Sequence, residues 1–72
     1  MSAAKPTGPE LEPLRKWIHE LNNRVGVILA SAELLQLEQL SPKAMERVRH
    51  MEAGALELRD LLRTVADYYL HQ

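Results

Sequence analysis

The sequence predicts an all-α fold, an antiparallel two-helix hairpin that pairs with a second copy of itself into a homodimeric four-helix bundle. Three observations lead there. First, Leu11, Leu14, Ile18, Leu21, Val25, Ile28, Ala32 and Leu35 follow one another at alternating spacings of three and four. Ala44, Val48, Met51, Ala55, Leu58, Leu62, Val65 and Tyr69 repeat the pattern, the a/d stripe of helices that pack lengthwise. Second, only a few residues around Glu38 to Ser41 separate the two stripes, so the helices must fold back on each other. Third, the chain has 72 residues, and a lone hairpin of that size encloses too little core to be stable, for which oligomerisation is the usual remedy.

The elements follow in order. Residues 1–9 hold Pro6, Gly8 and Pro9 among small and polar residues, with no apolar period, and read as a flexible leader. Residues 10–72 form the single module. Its first helix is expected over about residues 11–37, roughly 40 Å at 1.5 Å per residue, with Pro13 close enough to the start to be tolerated. Ser41 then suits an N-cap and Pro42 a first helical position, which opens a second helix over about residues 42–70. In a lone hairpin Trp17, Leu29, Leu61 and Tyr68 would stay partly wet. Two hairpins related by a two-fold axis would bury both stripes.

Composition excludes several classes of function. Nine Lys and Arg stand against ten Asp and Glu, without the basic excess that phosphate-backbone binding needs, so no nucleic-acid partner is expected. Hydrophobic residues make up 46% of the chain, too many for a disordered segment. Phe is absent and Trp17, Tyr68 and Tyr69 are the only aromatics, which suits helices over sheets. With no Cys, disulfides and thiolate metal sites are excluded. No apolar run reaches the roughly 18 residues of a membrane span, so no membrane insertion is expected. The N-terminus lacks the apolar core of a signal peptide. These features lead to the expectation of a soluble, cytoplasmic module.

The chemistry-bearing residues gather around His19. With Ile18 and Leu21 inward, His19 falls at heptad position b, on the solvent side. Arg15 and Lys16 lie one turn before it, Asn22 and Asn23 one turn after it, and Glu20 is its neighbour. Residues three and four apart share a face, so a cationic turn and an amide-bearing turn bracket one imidazole. A neutral imidazole carries a nucleophilic lone pair, and the adjacent cations would offset charge on a phosphorylated ring. Gly26 and Ala30 continue the face as a low surface open to another protein. An ordinary exposed histidine on a solvated helix has the same spacing, so spacing leaves both readings open. His50 lies off the stripe in a basic turn and His71 in the tail. No His-x-x-x-His or carboxylate pairing suggests a zinc site, and no metal or cofactor is expected. Gly54 falls inside the second helix, where it costs up to about 1 kcal/mol against Ala.

The string His19-Glu20-Leu21-Asn22-Asn23, followed by Val25, Ile28 and Ala32-Glu33-Leu34-Leu35, resembles the H-box of histidine kinases, in the variant that reads His-Glu-Leu-Asn-Asn. That box belongs to the dimerisation and histidine-phosphotransfer domain of two-component sensors. The resemblance covers about Leu14 to Leu70 and implies a dimeric antiparallel four-helix bundle. It implies that His19 is the phospho-acceptor on Nε2, and that Glu20 takes a proton from the imidazole or orients it. Asn23 would hold a water for attack on a receiver's aspartyl phosphate. A neutral imidazole needs its Nδ1 proton held so that Nε2 presents its lone pair, and a carboxamide can bind water without competing as a nucleophile.

The chain departs from that family in two positions. Arg24 stands where members usually carry Pro, and Ile18 where they usually carry a small residue. No Gly-rich phosphate loop occurs, so the chain is expected not to use ATP alone. The resemblance therefore implies a phosphotransfer module with a response-regulator receiver domain as partner and a separate histidine kinase ATPase domain as a possible donor. Its receiver-facing surface would carry Arg15, Lys16, Asn22 and Gly26 around His19, Glu20 and Asn23. The alternative from another class is a non-catalytic dimerisation hairpin that docks and regulates a receiver or histidine kinase.

Overall fold

A computed structural model describes residues 8–70, with side chains from Leu11 onward. Two helices account for it, α1 over Gly8–Leu35 and α2 over Pro42–Leu70, packed as a hairpin. Helix α1 begins three residues before Leu11, so Gly8 and Pro9 belong to the helix and not to the leader. Pro9 sits in the first turn, where a missing N–H leaves nothing unsatisfied. Residues 1–7 lie outside the described residues. Pro13 lies inside α1 and removes one hydrogen bond to the carbonyl four residues back.

Helix α1 ends at Leu35, the last residue of its stripe and two residues short of the end expected near residue 37. The Leu37 and Glu38 amides donate to the Leu34 and Leu35 carbonyls at 3.0 Å, an i to i+3 tightening that closes a helix. The chain then turns to Ser41, whose Oγ accepts from the Ala44 amide at 3.1 Å, while its carbonyl accepts from the Met45 amide at 2.9 Å. Ser41 is thus the N-cap and Pro42 the first residue of α2, as the sequence predicts.

The core is narrow. Ile18, Val25 and Ala32 of α1 and Val48, Ala55 and Leu62 of α2 are the buried apolar residues, each set spaced by seven, all at heptad position a. Val25, Ala55 and Leu62 form one cluster, with Leu29 packed against it. Leu29 is at position e, and so are Gln36 and Glu52, whose side chains join the helices by a 2.9 Å hydrogen bond from Gln36 Nε2 to Glu52 Oε1. Around Leu29, Gln36 and Glu52 the seam inside the hairpin therefore runs along a and e, while the e residues Arg15, Asn22 and Arg59 are exposed.

Most of position d is left over, with Leu14, Ala44 and Val65 half-buried. Leu21, Ile28 and Leu35 are 45%, 53% and 39% exposed, and Met51 and Leu58 of α2 are 52% and 44% exposed. Because the helices are antiparallel, the d positions of both lie to the same side of the seam and form one continuous face. Trp17, Leu61 and Tyr68 border it and are also exposed. Together these side chains expose on the order of 800 Å², above the roughly 300–600 Å² of the largest apolar patch on a typical monomer and near the roughly 800 Å² each partner gives a standard interface.

Gly54 has no packing task within the hairpin, since a Cβ built there meets nothing within 4 Å. Gly54→Ala is expected to raise stability by up to about 1 kcal/mol, a gain of roughly 4–8 °C in Tm for a domain this small. A fall in Tm would instead place another backbone against Gly54.

Candidate functional site

Helix α1 presents its polar side across the seam from the apolar d face. Arg15, Lys16, His19, Asn22, Asn23 and Gly26 occupy positions e, f and b, and all six are exposed. Their spacing of three and four places them on one strip about three turns long, near 16 Å at 1.5 Å per residue. A Cβ at Gly26 would meet nothing within 4 Å, so the strip is flat there and open. His19 stands at its centre with its ring in solvent. The shallow hollow formed by Glu12, Pro13, Lys16, Trp17 and Glu20 turns toward Trp17 and leaves His19 outside.

Glu20 does not join this strip. Its Oε2 accepts from Arg24 Nη2 at 2.9 Å and from Arg24 Nε at 3.2 Å. The guanidinium one turn on holds the carboxylate on the flank of α1 away from the imidazole. Of the three residues expected to act together, the structure keeps His19 and Asn23 on one side and gives Glu20 to Arg24. The pair has a sequence signal, since Glu and Arg four apart on a helix attract in this order. An exposed pair of this kind is worth about 0.3–0.5 kcal/mol, so it biases the carboxylate without locking it.

Arg24→Ala is expected to leave stability within about 0.5 kcal/mol of the native chain while releasing Glu20. The Glu20 carboxyl carbon resonance should move, and an unmoved resonance would show that the pair does not form in solution.

His50 lies on α2 beside Lys43, Glu46, Arg47 and Arg49 around a shallow basic hollow, well along the hairpin from His19. His71 falls outside the described residues. Among the described residues no three His, Cys, Asp or Glu side chains gather where they would hold a metal ion, and no helix is long and apolar enough to cross a membrane. What the strip offers chemically is one accessible imidazole between cationic and amide side chains, on a surface flat enough for a second protein to bring a reacting group to it. Comparison with known proteins finds no matching family model, no matching curated protein and no matching solved structure.

Proposed function

We propose that the chain is a dimeric histidine-phosphotransfer module, in which His19 exchanges a phosphoryl group with the aspartate of a receiver domain. The observation that carries this reading is the separation of faces. The unmatched apolar d layer of Leu21, Ile28, Leu35, Met51 and Leu58 lies on one side of the seam, and His19 with Asn22, Asn23 and Gly26 on the other. A second copy seated on the d layer closes a four-helix bundle and leaves each imidazole uncovered. The H-box resemblance of His19 to Asn23 adds the chemistry.

In the transfer, Nε2 of His19 attacks the phosphorus of the aspartyl phosphate. The N–P bond forms as the P–O bond breaks, and the receiver's carboxylate departs with the electron pair. Arg15 and Lys16, one turn before, offset the charge arriving on the ring. A separate histidine kinase ATPase domain is the alternative donor. Asn23, one turn beyond, would hold a water against the receiver's phosphate, whose attack returns the aspartate and inorganic phosphate. The decisive experiment mixes the chain with an aspartyl-phosphorylated receiver and looks for acid-labile, base-stable phosphate on His19. No transfer to His19 from either donor class would end this reading.

One observation favours a second reading. Arg24 occupies Glu20, the residue the resemblance assigns to proton handling, which suits a hairpin that docks a receiver or kinase and regulates it by occupancy alone. A His19→Gln chain that binds and regulates its partner as well as the native chain would establish that account.

A further inference from the structure

A second set of apolar side chains lies outside both the hairpin seam and the d face. Val27 and Leu34 stand at position c of α1 and Leu37 just past its end, and they are 66%, 64% and 81% exposed. With Ala30 between them, their spacing of three, four and three draws a strip up the outer side of α1 to the hairpin tip. A dimer formed on the d face does not reach it, because positions c and f point away from every neighbour in a bundle. At its upper end Ser31, Leu34, Leu35, Glu38, Gln39 and Leu40 surround a shallow hollow.

The charge around the strip is one-sided. Glu33 and Glu38 border it, and no Lys or Arg occurs between Arg24 and Lys43. The last turn of α1 carries no basic residue, so the negative pole of the helix dipole meets carboxylates and no cation of its own helix. We infer that this strip is a docking site for an amphipathic helix of a partner protein, one that sets apolar side chains on Val27, Leu34 and Leu37 and Lys or Arg beside Glu33 and Glu38. The strip is about 15 Å long at 1.5 Å per residue, which matches three turns of such a helix. Its exposed apolar area, on the order of 400 Å², belongs to the small interfaces of transient complexes, so micromolar affinity is expected. The site begins two turns above His19 and stands independently of the phosphotransfer reading.

The test uses a fluorescein-labelled 18-residue helical peptide of leucine and lysine at spacings of three and four, titrated with the full chain at physiological salt. Saturable anisotropy is expected with the lysine peptide, with binding at least about tenfold weaker for a leucine and glutamate counterpart. Leu34→Glu is expected to weaken binding of the lysine peptide at least about tenfold, because it puts a charge in the apolar contact. That substitution also makes the protein more acidic, so affinity that holds or rises in Leu34→Glu would reveal charge attraction alone and overturn the proposal. Equal binding of the two peptides would overturn it too, as would a fall in the mass of the Leu34→Glu chain, which would assign the strip to self-association. His19→Gln should bind the peptide as the native chain does. If it binds and transfer to native His19 has failed, the phosphotransfer reading falls and this one stands.

Discussion

Leu21→Asp is expected to split the protein into monomers and to strip it of most of its helix. Leu21 sits at the centre of the d layer, 45% exposed in the single hairpin and covered only if a second copy arrives. In a bundle related by a two-fold axis the substitution enters twice. Each copy places an unpaired carboxylate among Ile28, Met51 and Leu58, at a cost of at least about 3 kcal/mol per site. A chain this short has little stability in reserve, so loss of association and loss of fold should come together. Light scattering should give the native chain twice its 8.2 kDa mass and the variant a single mass, with the helical circular dichroism signal falling in parallel. A native chain that is fully helical at the single mass would remove the dimer from the account. Val27→Asp is the matched control: it adds the same charge at a position no bundle neighbour covers, and it should leave the mass unchanged.

His19→Gln should abolish phosphate incorporation while leaving mass and melting temperature where they were. Position b lies outside both the hairpin seam and the d face, and exposed substitutions of this kind stay within about 0.5 kcal/mol. Glutamine keeps the polarity and much of the length of the imidazole but offers no nucleophilic nitrogen at neutral pH. Transfer should therefore fall below detection rather than merely slow. Asn23→Ala separates the two directions of the proposed chemistry. It leaves the nucleophile in place, so phosphate should still reach His19, while loss of the receiver's phosphate to water should slow by about tenfold or more. Phosphate still appearing on the His19→Gln chain would move the acceptor elsewhere, with His50 the next candidate.

Much of the fold is legible in the residues themselves, because the relevant forces are local. Ser41 and Pro42 start α2 where capping chemistry says they should, and the oxygen that accepts from Ala44 is already named by that serine. The stripes at three and four determine two helices, and the short link between them makes those helices antiparallel. The exposed position of His19 at b follows from the same count. The start of α1 was less legible: Gly8 and Pro9 carry no apolar period, yet a proline in a first turn costs a helix nothing, so the backbone continues through them.

Tertiary structure decided what period alone leaves undetermined. An a/d stripe records which side of a helix is apolar but not how many neighbours share it. In this hairpin the intrachain partner takes a and part of e, through Val25, Leu29, Ala55 and the Gln36 to Glu52 bond, and most of d is freed for something else. That division depends on the angle at which two particular helices meet, a property of both surfaces together. The fate of Glu20 was decided the same way. Its neighbour in sequence is His19, but side chains on a helix meet across a turn, and the guanidinium of Arg24 waits one turn on. Sequence determined which groups are present and on which side they stand; which of them touch was decided by packing, because contact depends on the distance between side-chain ends and not on order along the chain.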